Sequence, residues 1–303
     1  MTTTVATPTT TPHYRLAEGP VWDAARDRLL WVDILAGLVM EGELVVGESV
    51  DVRETARHRF PGMVGAVVAA DDSTLLVAAQ GSLVVQAPDG TRRTGPRIIS
   101  PGDLRRFNDG GVDPAGRFLI GTLSLDESGE GGAPENAEFL VRVEDNAALT
   151  MIDSGLGLSN GLAFSPDGTV LYNTDTEAAT VYARDYDAAS GRFGERRVHL
   201  VVEDGHPDGM CADTDGGLWL AIWGGGEVRR YAADGSVTDI VTVAAPHTSS
   251  VAFVGTMPGL LVITTALKDL TRRQVAEFPD SGRLFTARVD RTGVPTTPWC
   301  GRP

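Results

Sequence analysis

LGLSNGLAFSPDGTVLYNTDT, residues 156–176, reads as two apolar strands joined by a tight Ser-Pro-Asp-Gly turn. Asp and Asn hydrogen-bond to their own loops, and Gly takes left-handed backbone without steric cost, so this turn chemistry specifies a hairpin. The same phrase recurs along the chain as GPVWDAARDRLLWVDI (19–34), GAVVAADDSTLLVAA (65–79), GGVDPAGRFLIGTL (110–123), GMCADTDGGLWLAI (209–222) and SVAFVGTMPGLLVITT (250–265). Each copy is followed by more strand-like text, such as GSLVVQAPDG (81–90), ATVYARDYD (179–187) and GEVRRYAADG (226–235). Helical apolar spacing is nearly absent. Six hairpins at a long period, each with further strands, predict an all-β, six-bladed β-propeller. A β-sandwich leaves the repetition unexplained.

The copies differ at one position. Just before each inner strand stand Glu18, Asn108 with Asp109, Asn160 and Asp208, whereas the second and sixth copies carry Met63-Val64 and Thr248-Ser249. Asn-Gly and Asp-Gly taken singly are turn signals. Taken as a set in register around a ring, they put oxygen donors at the mouth of a central channel. The glycines are expected to turn the backbone so that the side chains aim inward. Oxygen donors suit a hard divalent cation, and two carboxylates on one axis repel each other without one.

The totals agree with a soluble enzyme or binding protein. The chain has 303 residues, 42% hydrophobic and 22% charged, with a net charge of −15. That charge argues against nucleic-acid and anionic-membrane partners. The cysteines, Cys211 and Cys300, cannot build a disulfide framework or a cysteine-rich zinc site. No stretch has the length of a membrane span, and MTTTVATPTTTP (1–12) lacks a signal peptide's apolar centre, so a cytoplasmic location is expected. Those residues read as a disordered tail before one domain spanning 13–303, with HYRLA (13–17) as the strand that closes the ring. The acidic, Gly-rich stretch 125–138 reads as a surface loop, since the repeat resumes after it in phase. A monomer is expected.

The phrases LAEGPVWD, RRFNDGGVDPAGRFLIGT, LSNGLAFSPDGTVLY, PDGMCADTDGGLWLA and GGGEVRRY, spread from about residue 14 to 290, resemble the regucalcin–gluconolactonase family, which includes senescence marker protein, sugar lactonases and luciferin-regenerating enzyme. The resemblance implies a propeller with one divalent metal on its axis, calcium foremost, with magnesium, manganese or zinc as alternatives. It implies Glu18, Asn160 and Asp208 as metal ligands. It also implies Arg106 and Asn108 as substrate contacts, Asn108 reaching the metal directly or through water. A family acid aligns with Asp126 or its neighbour Glu127. His206, beside the Asp208 turn, departs from the sugar-lactonase pattern and is a candidate substrate contact, with a solvated loop histidine as the other reading; His247, leading the sixth inner strand, reads as a solvated loop residue, or else as one overlooking the mouth.

The expected function is hydrolysis of a small sugar (aldono-) lactone, by water attack on a metal-polarised carbonyl with Asp208 as general base. Arg106 would hydrogen-bond substrate oxygens. The alternatives on the same scaffold are an esterase or phosphotriesterase, and a non-catalytic calcium-binding or recruited pathway protein. GLGLSNG is not a Gly-x-Ser-x-Gly elbow, so Ser159 is not read as a nucleophile. Trp22, Trp31, Trp219 and Trp223 read as packing between blades, Trp223 being the one placed at a strand end.

Overall fold

In the computed structural model, residues 1–126, 137–144 and 146–301 of the chain are described. They form six sheets, antiparallel except at one outer edge, whose innermost strands are Ala17–Asp23, Val64–Ala69, Arg105–Val112, Ser159–Phe164, His206–Ala212 and Thr248–Phe253. Each inner strand touches that of the next blade, and the sixth touches the first, so the ring is closed. The expected six-bladed propeller is the observed fold.

One apolar cluster fills each wedge between neighbouring blades. Trp22 and Trp31 pack between blades 6 and 1, Trp219 between 5 and 6, and Phe107 and Phe118 between 2 and 3. The strands buried on both faces, such as Val64–Ala69 and Leu75–Ala79, are correspondingly continuous runs of Val, Leu and Ala.

The N-terminal residues correct the expectation of a disordered tail. Thr2–Val5 pairs in parallel with Val237–Thr242 at the outer edge of blade 5. Thr7–Pro8 pairs with Phe285–Arg288 and completes blade 6. The Thr9 hydroxyl then donates to the Leu284 carbonyl at 2.9 Å. The ring is therefore closed upstream of HYRLA, of which Leu16 makes only a single bridge to Ala266 while Ala17 already opens blade 1. The segment looked polar, but Thr and Val are β-branched and favour strands whether or not they are buried.

The C-terminal residues cross the far end of the channel. Val294 N–H donates to Ala212 O at 3.0 Å, Trp299 N–H to Ala69 O at 2.8 Å and Cys300 N–H to Gly116 O at 2.9 Å. Trp299 is buried between blades 2 and 3 and anchors the crossing. Beneath it lies a cavity of about 750 Å³ lined by Val21, Val68, Leu162, Met210 and Cys211. It is largely apolar and touches none of Glu18, Asn160 or Asp208. The loop expected at 125–138, including Glu127, lies mostly outside the described residues. No described helix is long and apolar enough to cross a membrane.

Candidate functional site

Every inner strand carries a break in its pairing register at the same height. The breaks fall at Glu18/Val21, Val64/Ala66, Phe107/Gly110, Asn160/Leu162, Pro207/Met210 and Thr248/Ser250. A bulge inserts an extra residue, bends the strand and re-aims its side chain. Six bulges at one level make a collar around the channel, and the candidate residues stand on it.

Asn160-Gly161 and Asp208-Gly209 are thus not turns but bulged strand. Neither glycine has positive φ; of the residues following a candidate donor, Gly19 does, at +51°. The glycines serve close approach instead. A Cβ on Gly161 would lie 2.5 Å from the Asp208 carbonyl oxygen of the next blade, and one on Gly209 would lie 2.1 Å from Ser250 Oγ. They let adjacent inner strands converge at the axis.

Glu18, Asn160 and Asp208 lie close enough on the collar to act on one another, and are 6%, 4% and 5% exposed. Burial pushes the Glu18 carboxyl well above its usual range, and the negative charges of Asp208 and Asp109 add to this, against the Gly19 N–H and Arg106. Asp208 is raised in the same way by burial and by Asp109, against Asn160, Arg106 and the Gly209 N–H. Asp109 is itself pushed up to about 6 by burial, although it accepts a hydrogen bond from Gly110 N–H at 2.7 Å. Arg106, the cation among these acids, is lowered to about 10 by burial, while Glu18 and Asp208 pull it upward.

Two buried acceptors at this point have no hydrogen-bond partner: Asn160 Oδ1 and Asp208 Oδ1. The Asn160 amide is oriented by a relay. The Thr176 hydroxyl donates to Pro207 O at 2.8 Å, so toward Asn160 it can only accept, and it does so from Asn160 Nδ2 at 3.1 Å. Asn160 Oδ1 is therefore turned away from Thr176. Unpartnered buried oxygens cost about 1–3 kcal/mol each, which makes these two candidates for contact with a ligand. Two mutually repelling carboxylates and a free amide oxygen are a donor set that fits a hard cation. Among the described residues no three His, Cys, Asp or Glu side chains gather at metal-ligand spacing, so the amide is needed to complete the set.

Arg106 and Asn108 form one unit. Arg106 Nη1 donates to Asn108 Oδ1 at 2.6 Å and to Phe107 O at 2.9 Å, while Asn108 Nδ2 donates to Ser159 O of blade 4 at 3.0 Å. Arg106 Nε is buried without an acceptor. Arg106 also borders a smaller cavity of about 420 Å³ that Met63 lines. Asp126 is half-buried, just past the strand Phe118–Ser124 whose Ser124 pairs with Arg105. His206 is exposed and lies in register with Trp223. His247 is not a solvated loop residue: its ring is half-buried and stacked on Trp223.

Asp109 belongs to the set of oxygen donors expected at the mouth, whereas Thr176 carries no functional reading in the sequence. Thr176 lies sixteen positions from Asn160, in the turn just past the neighbouring strand Val170–Asp175, and no local pattern singles it out. Ser249, in the equivalent slot of blade 6, proves structural, its hydroxyl donating to Ala17 O at 2.6 Å beside Glu18.

The chain is 36% identical over 292 residues to pentonolactonase XacC of Haloferax volcanii, covering 93% of both chains. It is 31% identical over 286 residues to the 6-deoxy-6-sulfogluconolactonase of Pseudomonas putida, covering 92% of both. The crystal structure of regucalcin from Agrobacterium tumefaciens, described as a calcium-binding protein, superposes with a TM-score of 0.88 at 27% identity over 99% of both chains. The SMP-30/Gluconolactonase/LRE-like family model matches residues 16–267, and the chain belongs to that family.

Proposed function

We propose that this protein hydrolyses sugar lactones, with a divalent cation held by Glu18, Asn160 and Asp208. The observation that carries the reading is the pair of partnerless buried oxygens, Asn160 Oδ1 and Asp208 Oδ1, beside the raised Glu18 carboxyl. The names of the Haloferax and Pseudomonas relatives, both lactonases, support the substrate class. Calcium is the first choice of ion, because the donors are all oxygen and the Agrobacterium relative is described as calcium-binding. When bound, the ion would place positive charge beside the lactone carbonyl oxygen and acidify a neighbouring water.

The chain's own residues account for the rest. Arg106 offers its unpartnered Nε–H to substrate oxygen, and Asn108 holds the guanidinium in place. Asp208 accepts the proton of the attacking water as the new carbon–oxygen bond forms. The ring carbon–oxygen bond then breaks, the departing ring oxygen takes the proton back, and the product is the open hydroxy acid. Asp126 and His206 flank this centre as further substrate contacts.

The test is chelated protein assayed on five- and six-membered sugar lactones, with calcium, magnesium, manganese or zinc restored one at a time. Turnover lost on chelation and regained with one ion is the expected result. Unchanged turnover after exhaustive chelation would remove the ion from the reaction. A change in thermal stability with no turnover on any lactone would leave a cation-binding scaffold.

A further inference from the structure

At the collar end of the ring, one aromatic pair is not used by the proposed reaction. Trp223 ends the strand Leu218–Trp223, which is hydrogen-bonded to the inner strand that carries Asp208. On one side its backbone is in register with His206, and on the other it makes a single bridge to His247. The Trp223 and His247 rings are stacked, 4.2 Å between centroids and 13° apart in plane. Both residues are half-buried, and Trp223 also leans on the apolar cluster that contains Leu16, two residues before Glu18. His247 leads blade 6, and Arg106 begins blade 3, three blades away in a ring of six. Arg106 on blade 3 and the Trp223–His247 stack between blades 5 and 6 thus stand on different sides of the ring at the collar end.

His247 is held in one tautomer. Its Nδ1 lies 2.7 Å from the Lys268 carbonyl, so Nδ1 carries the hydrogen and Nε2 is left as an acceptor. Burial lowers its pKa, against the Lys268 carbonyl and Asp269, which favours the neutral ring at neutral pH. A neutral imidazole stacked on indole is a rigid, flat brace with one hydrogen-bond acceptor at its edge.

We propose that Trp223, braced by His247, is the platform that receives the apolar C–H face of the sugar ring, and that it sets the preference for polyhydroxylated over unsubstituted lactones. This rests on the lactonase reading and deepens it. Sugar rings present C–H groups on one face and hydroxyls at the rim. An aromatic wall opposite Arg106 matches that division, with Nε2 of His247 placed to accept from a rim hydroxyl. Binding pockets commonly combine such apolar walls with a few fixed polar groups. Trp223 acts here as a specificity residue, not as a reacting group.

The experiment compares wild type with Trp223→Ala and Trp223→Phe in the metal-loaded protein, on D-glucono-δ-lactone and on unsubstituted δ-valerolactone. Trp223→Ala should raise KM for the sugar lactone about tenfold with kcat within about twofold, and leave δ-valerolactone unchanged. Trp223→Phe should keep most of the sugar preference, and thermal melting should confirm that both variants fold. An unchanged KM for the sugar lactone, or equal losses on both substrates, would overturn the platform. Calorimetric binding of D-glucono-δ-lactam, a hydrolysis-resistant analogue, separates the two readings. If wild type opened no lactone, the lactonase reading would fall, while a tenfold loss of lactam affinity in Trp223→Ala would still support the platform. Equal lactam affinity in the two proteins, or none in either, would overturn it.

Discussion

Asp208 stands near the start of the inner strand His206–Ala212 and Asp213 just past its end, and both are buried, yet their surroundings are opposite. Asp213, fully enclosed, accepts from Asp215 N–H, Gly217 N–H, Trp219 Nε1 and both Nε and Nη2 of Arg230, at 2.6 to 3.2 Å. Burial alone would raise its pKa, but the bonds from Arg230, Gly217 and Trp219 outweigh it and hold the carboxyl below its usual range. Asp208 has an oxygen with no partner and is raised. Blade 3 repeats the contrast. Asp113, at the far end, accepts from Tyr186 OH and Arg117 Nε at 2.6 Å, whereas Asp109, at the near end, is pushed up to about 6. Buried acids with full donor sets, such as Asp213 and Asp113, hold the hairpins together, whereas Asp208, left short of donors, is the one proposed to take a ligand.

Asp208→Asn should break this contrast most visibly. Losing the ligand charge and the base should lower kcat/KM on a sugar lactone about a thousandfold, with the circular dichroism spectrum unchanged. Near-wild-type rates would take Asp208 out of the chemistry. Asp213→Asn should do the reverse. It leaves Arg230 buried without its counter-charge and should cost about 3–5 kcal/mol in urea unfolding, while metal affinity of the folded fraction is unaffected. A variant as stable as wild type would deny Asp213 its structural role.

Thr176→Val removes the acceptor that orients Asn160 without touching a proposed ligand. Metal affinity measured by calorimetry should fall about tenfold, and turnover at saturating metal should recover. An unaltered affinity would mean that the amide needs no orienting partner.

The smallest effect concerns pH in the chelated protein. Glu18, Asp208 and Asp109 have raised folded pKa values, so the folded state binds more protons than the unfolded one. Stability should then decline as pH rises from the unfolded carboxylate value of about 4 through the folded values, Asp109 at about 6 and Asp208 and Glu18 above their usual range. Asp213 contributes in the opposite sense: its stabilisation is present above about 4 and is lost as pH falls through its depressed folded value. In thermal melts, Asp208→Asn should flatten the decline and make the chelated protein more stable by about 1 kcal/mol at neutral pH. An identical slope in the variant would show that Asp208 carries no such strain.

Some of these features are legible in the amino-acid sequence and others are not. The propeller was legible because Asp-Pro-Gly turns recur between apolar runs, and turn chemistry is local. Glu18, Asn160 and Asp208 were legible as departures from a repeat that purely structural positions would keep. Gly161 and Gly209 look like turn glycines in the sequence, because nothing local distinguishes a bend from a site pressed by the next blade. Residues 2–8 were misread as a tail, because their partners, Val237–Thr242 and Phe285–Arg288, lie at the other end of the chain.

The amino-acid sequence by itself determined the blades and the types of atom available to the channel, since both follow from short-range patterns of apolar spacing and turn residues. Tertiary structure alone decided which of those atoms are left without partners. The collar of bulges, the relay from Pro207 through Thr176 to Asn160, and the stack of Trp223 on His247 all join residues of different strands. Whether a buried carboxylate is satisfied depends on what the closed ring brings beside it.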